Sequence, residues 1–328
     1  MKTDDVPPLL AAAAPDRKIS GFWRRPLALM FDAAVLGLFG LVAGLFLFDK
    51  FVTLGGWGRL IGFTVALAYY TILNSKLGKG KTVGKRMMGI EVIDSTGGHI
   101  SVGRSCLRYL VLGIPFFLNG APLPTSVAMS PVGYFIGFLV LGVGGSIVYL
   151  YIFNRETRQS LHDLAVGTFV VKGKGCGQFV AKSIWRAHLA IVGGWCLLVI
   201  GFSFVVPSLS KRGVFPDLIV AQQKLQSSGK VNAATLFAGK TWSYLNGVKQ
   251  QSSYLQVTAD WRKRPHDYKV AAEEMASIIL ASYPNVREKD LVDVTIRYGY
   301  NIGIAQWSTS QNFRYSPQQW DLVLGQAK

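Results

Sequence analysis

Residues 26–48 read PLALMFDAAVLGLFGLVAGLFLF, twenty-three positions carrying one charge, Asp32. As a helix rising 1.5 Å per residue, this run is about 35 Å long, enough to cross the roughly 30 Å hydrocarbon core of a bilayer with some tilt. Pro26 suits the first turn of such a helix, where its missing N–H costs nothing. The stretch decides the fold class: a membrane-spanning helix rather than a strand or a core helix.

The same pattern recurs outward from it. A second apolar run covers 60–73 and lengthens if Gly55, Trp57 and Gly58 lie at the interface. Trp57, Tyr69 and Tyr70 fit an aromatic belt. Between Tyr109 and Asn154 no residue is charged, which leaves room for two spans, at 109–125 and 131–153. Pro115, Pro122, Pro124 and Pro131 make the first of these either a kinked span or a re-entrant segment. A last span is expected at 187–206, ending at Pro207. Composition agrees: half the residues are hydrophobic and 16% are charged, against about 25% in ordinary globular domains.

The positive charge falls where a multi-span protein needs it. The net charge is +17. The N-terminal tail holds five Lys/Arg, segment 76–108 seven and segment 154–186 six, whereas the opposite connections near 49–59 and 119–130 hold two and none. Basic loops stay in the cytoplasm, so the N-terminus is expected there. Five spans then put residues 207–328 on the outside, and a re-entrant 109–125 would reverse that side. Nucleic acid is not an expected partner, because no helix-turn-helix, zinc-finger or RNP pattern accompanies the basic residues. The first 20 residues read as a disordered tail, not a secretory signal. Cys106, Cys176 and Cys196 match no metal or disulfide spacing.

Between the spans, residues 90–93 and the stretch after Gly97-Gly98 look like two short strands around a Gly-rich turn, and 168–171 like another. Beyond the last span the pattern changes. Leu255, Val257, Ala259 and Trp261 alternate with polar residues, as do Val292, Val294, Ile296, Tyr298, Tyr300, Ile302 and Ile304, the latter as one long strand or a hairpin near Gly299. Asp267 can cap a helix reaching about Tyr283, with Ala271, Met275, Ile278, Ile279 and Ser282 on one face. A helix over a small antiparallel sheet is the simplest α+β assembly.

Few residues carry chemistry. Asp32 lies about a third of the way into its span, where a carboxylate costs about 2.5–3.5 kcal/mol near the centre on insertion scales. It reads either as a proton- or cation-responsive group near Arg25, two turns back, or as a structural anchor between helices. Gly80-Lys81-Thr82 and Gly84-Lys85 miss the phosphate-loop spacing. His162-Asp163 is not a ready dyad, since neighbouring residues do not face each other on a helix. His99, His188 and His266 are isolated. Gly40/Gly44 and Gly133/Gly137 are GxxxG pairs, read as close packing within the bundle or as a homo-oligomer contact.

Three segments in order resemble the RDD family of membrane proteins, named for one arginine and two aspartates. Arg24-Arg25-Pro26 through Asp32 resembles the arginine entering the first helix and the first aspartate within it. Thr82-Val83-Gly84-Lys85-Arg86-Met87-Met88-Gly89 resembles the family's Thr-x-Gly-Lys-x-x-x-Gly stretch. Asp163 through Gly167-Thr168 resembles its closing Asp-x-x-x-Gly-Thr. The resemblance covers about 20–172 and leaves out the final span and residues 207–328.

It implies a mainly α membrane protein: an RDD-type bundle of about five transmembrane helices with a small cytoplasmic strand-rich part, here followed by a soluble α+β domain. The expected division is a tail at 1–20, an RDD-like domain at 21–172, a linker and fifth helix at 173–206, and an extracytoplasmic domain at 207–328. The expected function is cation, proton or small-solute transport in the cell (inner) membrane, with Arg25, Asp32 and Asp163 as its residues. The alternative is a scaffold whose residues 207–328 bind a protein or envelope component. No enzyme, metal site or cofactor is expected.

Overall fold

The computed structural model describes residues 17–172, 179–180, 183–209, 211–213, 215–245 and 248–326. The tail read at 1–20 falls almost wholly outside these residues, as does Cys176. Two compact units divide the chain. The first takes the chain up to Ala34, with Leu67–Gly113 and Val143–Gly193; the second takes Val35–Ala66, Ile114–Gly142 and Gly194–Lys328.

The chain is mostly helical before residue 210. Helix α1 (Arg24–Leu54) and α2 (Gly58–Asn74) join through a 3₁₀ turn at Gly55–Trp57. A hydrogen bond from Tyr69 back to Asp32 shows that α2 doubles back along α1. α1 does not stop at Phe48 as expected. It passes through Asp49 and Lys50, with non-helical torsions at Leu47, because Phe51 and Val52 beyond them are buried and extend its apolar face. The short α3 (Val83–Met88) follows, then α4 (Val102–Leu118), α5 (Thr125–Ala128) and α6 (Pro131–Gly137). A π-helical stretch at Phe138–Val143 leads into α7 (Gly144–Phe153), and α8 (Leu161–Leu164) and α9 (Arg186–Leu209) complete the set. Pro207 lies inside α9 rather than ending it. Among the described residues, Arg24–Asn74, Pro131–Phe153 and Arg186–Leu209 are the runs long and apolar enough to cross a membrane. The first of them contains both α1 and α2.

In the first unit a three-stranded antiparallel sheet has β3 (Thr168–Lys172) between β1 (Lys18–Ile19) and β2 (Ile90–Asp94). The strand expected after Gly97-Gly98 is not there. Asp94 instead folds the turn onto itself, accepting from Thr96 and Gly98 backbone N–H at 2.9 Å each. The chain enters α4 directly, and β2 pairs with β3 from across the sequence, Val92 opposite Val170.

In the second unit α10 (Phe215–Ser227), α11 (Tyr268–Ser282) and α12 (Pro317–Gln326) accompany a four-stranded sheet ordered β4 (Val231–Leu245), β5 (Val248–Trp261), β6 (Leu291–Asn301), β7 (Gln306–Tyr315). The sheet is mixed, not antiparallel as expected: β5 and β6 run parallel, because α11 carries the chain from one to the other and parallel neighbours need such a crossover. The alternating residues of β5 and β6 form the core with Ala272, Met275, Ala276 and Ile279 of α11, all buried. Asp267 caps α11 as read from the sequence, accepting from Lys269 N–H at 2.6 Å. The hairpin turns at 302–305, not near Gly299.

Gly40 and Gly44 do not serve helix-to-helix packing. The β6–β7 turn lies against them: a Cβ on Gly40 would stand 2.7 Å from Ala305 Cβ, and one on Gly44 1.9 Å from the Tyr300 hydroxyl. Gly62 of α2 lines the same groove, where a Cβ would stand 1.8 Å from the Ile302 carbonyl oxygen. Gly133 packs against the Val127 and Ala128 carbonyls just before its own helix, and a Cβ at Gly137 would meet nothing within 4 Å.

Candidate functional site

The site lies wholly in the first unit and is built around α3. A six-residue helix leaves its first N–H groups without partners in its own backbone. Here three neighbours supply them. Thr82, the N-cap, accepts from Lys85 N–H at 3.3 Å. The Tyr69 hydroxyl accepts from Val83 N–H at 3.2 Å. Asp32 accepts from Gly84 N–H at 2.8 Å, where a negative charge also suits the positive end of a helix.

Asp32 takes two further hydrogen bonds, from Tyr69 at 2.7 Å and from Thr82 at 2.6 Å. Its side chain is buried and both oxygens accept hydrogen bonds. Gly84 is required by this approach, since a Cβ there would stand 2.0 Å from the Ala28 carbonyl oxygen of α1. At the other end of α3, Gly89 adopts a left-handed φ of 63°, which glycine allows. Arg24 donates to the Met88 carbonyl at 2.9 Å. Residues of α1 therefore hold both ends of α3.

A second cluster surrounds Asp163 in α8, which is fully buried. Arg108 of α4 donates to its Oδ1 twice, from Nε at 3.0 Å and Nη2 at 2.6 Å. The Thr168 hydroxyl reaches the same oxygen at 3.2 Å. On Oδ2, Arg25 Nη1 lies at 3.4 Å and Ser160 N–H at 3.3 Å. Arg25 also donates to the carbonyls of Arg158 and, at 3.3 Å, Val170. Gly167 turns the chain into β3 with φ of 61°, and Arg104 donates to the Val166 carbonyl there at 2.5 Å.

Burial alone would push the Asp163 carboxyl up; Arg108, with His162 and Arg25, outweighs it and holds it below the usual carboxylate range. His162 lies 3.7 Å from Asp163, but burial and the surrounding cations Arg108, Arg25 and Lys85 bring its imidazole down to about 3. It is neutral at physiological pH, and the contact is not an ion pair.

The two clusters share one cavity of about 380 Å³. Arg25 and Asp32 of α1, Lys85 of α3, Arg108 of α4 and His162 of α8 all line it. The half-buried Lys85 donates to Asn74 at 2.7 Å. Burial of its amine, with Arg108 close by, brings it down to about 7.

The residues singled out from sequence thus converge, with one correction. Arg25 does not pair with Asp32: each serves a different cluster. Arg108, Tyr69, Asn74 and His162 belong to the site and were not read as such. Arg108 counts in the sequence only as topological charge, Tyr69 only as an interfacial aromatic.

Apolar helices, three runs of them long enough to cross a membrane, with a short connecting helix fastened by a buried aspartate beside a buried two-arginine, one-aspartate cluster, define a class: a membrane protein with a charged inner cavity. Residues 19–167 match the RDD family. YckC of Bacillus subtilis (strain 168), an uncharacterized protein, is 24% identical over 153 residues, which make up 47% of this chain and 84% of YckC. No solved structure matches the chain.

Proposed function

We propose that the RDD segment carries a small solute across the membrane through this cavity, with Asp32 as the latch that fixes α3 to α1. The observation that supports it is convergence: two of the three family motifs send Arg25, Asp32 and Lys85 to one cavity walled by α1, α2, α4 and α7, and Asp163 of the third holds the cavity's Arg108 and Arg25 from behind. Cation or proton exchange at Asp32 is the weaker form of this reading. Both oxygens already accept from neutral donors, which compete with an incoming cation.

The proposed setting is the cell (inner) membrane, with the N-terminus cytoplasmic and residues 207–328 on the opposite side. Contacts within the second unit support that orientation. The connections poorest in Lys and Arg are the ones that meet the C-terminal domain: Asn232 donates to the Val52 carbonyl at 2.7 Å, and the Thr125 hydroxyl to Gln226 at 3.2 Å.

The test needs no known substrate. Cys106, Cys176 and Cys196 are replaced by Ala, and Asn74, on the cavity wall, becomes the single Cys. A carrier exposes Asn74→Cys to a membrane-impermeant maleimide from each side in turn. Labelling from one side only overturns the reading. Proton flux driven by Na⁺, K⁺ or Li⁺ in proteoliposomes, lost in Asp32→Asn, would instead establish the exchange form.

The scaffold reading keeps its own support, the independent core of the C-terminal domain. It predicts that deleting 207–328 removes function while the bundle stays folded.

A further inference from the structure

The cavity's walls say what kind of solute fits, provided that it is the transport site proposed above. Three cationic side chains line it, Arg25, Lys85 and Arg108, against a single carboxylate, Asp32. That carboxylate already holds three hydrogen bonds, and Asp163, behind Arg108 and Arg25, holds its own set. Both carboxylates are engaged, while a donor is left over. Arg25 Nε is buried without a hydrogen-bond partner, and the Arg25 side chain is nine-tenths buried. Buried donors in native proteins are almost always satisfied, so an orphan beside a cavity asks for an acceptor. The lowered proton affinity of Lys85 agrees with this: burial and the nearby Arg108 disfavour its charge, and an anion beside it would restore it.

The remaining wall is apolar, and its edge faces outward. Leu29 of α1 and Val148 and Ile152 of α7 line the cavity, yet they are 48%, 57% and 43% exposed. All three lie in membrane-spanning helices, so this edge borders hydrocarbon rather than water. The volume of about 380 Å³ sits at the small end of ligand pockets, roughly 300–1,000 Å³, which favours one chain over two.

We infer that the solute is a single-chain amphiphile with an acidic head: the head accepts from Arg25 beside Lys85, and the chain leaves between Leu29, Val148 and Ile152. Entry is from the bilayer, not from water.

The test uses the full chain in phosphatidylcholine nanodiscs, with binding corrected against empty discs. The probes are dodecanoate, dodecyl phosphate, dodecanol, dodecyltrimethylammonium, inorganic phosphate and dioleoyl phosphatidate. Dodecanoate and dodecyl phosphate should bind at least about tenfold more tightly than dodecanol or dodecyltrimethylammonium, a gap of about 1.4 kcal/mol. Ile152→Trp, at the lipid-facing edge, should weaken all chain-bearing probes. Lys85→Met should weaken only the acidic ones, which a mere loss of packing would not do.

Dodecanol binding as well as dodecanoate overturns the acidic head. Inorganic phosphate binding as well as dodecyl phosphate overturns the chain and makes this a soluble-anion site. Phosphatidate displacing dodecyl phosphate at equal concentration overturns the single chain and makes a membrane lipid the source. No binding by any probe overturns the inference outright. Each of these leaves the carrier reading standing if Asn74→Cys still labels from both sides.

Discussion

Asp32 receives an O–H from Tyr69, an O–H from Thr82 and an N–H from Gly84. Asparagine can keep the two bonds at one oxygen, and the Thr82 hydroxyl can rotate to accept from the new amide. The change therefore costs about 1–2 kcal/mol, and Asp32→Asn should fold with a small fall in melting temperature. Asp32→Leu leaves three buried donors without an acceptor, at a cost of roughly 3 kcal/mol or more, and should detach α3. Thermal melts in detergent distinguish the two; equal melts for Asn and Leu would mean that Asp32 does not fasten α3. Arg108 answers to a different rule. Its Nε and Nη2 both bond one buried oxygen of Asp163, so Arg108→Met leaves that carboxylate only the longer contacts to Arg25, Ser160 and Thr168 and should cost about 3 kcal/mol. Lysine cannot present two adjacent donors, so Arg108→Lys should recover less than half of the loss in the same melts.

Two short helices, α3 and α8, turn these contacts into a pH response. His162 takes up a proton near 6.5 when free but near 3 when folded. The unfolded chain therefore binds more protons in that interval, and stability falls as pH drops from about 6.5. Asp163, held below its usual range, adds to the loss under more acid conditions. Lys85 acts in a separate window. Its amine takes a proton near 10.5 when free and near 7 when folded, so stability also falls as pH drops from about 10.5 to about 7. Melting curves should slope in both windows. His162→Gln should flatten the acid one alone and Lys85→Met the alkaline one alone; a wild-type melting temperature constant from about pH 10 to about pH 4 would refute both assignments. What sequence offers about these elements is uneven. A cap is local, so Asp267 before α11 stands out from its neighbours alone, whereas Thr82, Gly84 and Gly89 on α3 are marked only by the resemblance to the RDD family. Arg108 and Tyr69 do not stand out, because their partners lie 55 and 37 residues away and nothing in their own surroundings marks them. The parallel pairing of β5 and β6 is hidden for the same reason, since alternation fixes which face is buried but not which strand lies alongside.

The second unit shows how far such distant pairings reach. Its β6–β7 hairpin ends in Asn301-Ile302-Gly303-Ile304-Ala305, an apolar tip that no soluble sheet would leave in water. Tyr298, Tyr300 and Ile302 are buried with Phe51 and Val52 of α1, and the Tyr298 hydroxyl donates to Asp49 at 2.8 Å. Burying each such side chain contributes about 1.5–3 kcal/mol. The groove that receives the tip exists only because Gly40, Gly44 and Gly62 carry no Cβ, which is why glycines that look like a helix-pairing motif in sequence serve a strand turn in the fold. A side chain at Gly62 would run into the Ile302 backbone, not into a flexible tip that could swing away. Gly62→Val should therefore lift the hairpin off while the C-terminal core, which does not depend on it, stays folded. An Ile302→Cys reporter reads this directly, in a background where Cys106, Cys176 and Cys196 are Ala. Its labelling by a permeant maleimide should be slow in the parent and at least about tenfold faster with Gly62→Val, as for a local opening. Gly201→Val, on α9 where a Cβ would meet nothing within 4 Å, is the matched control and should leave the rate unchanged. Equal labelling in all three chains would show that the tip is not held in the groove, and the glycines would then need another explanation.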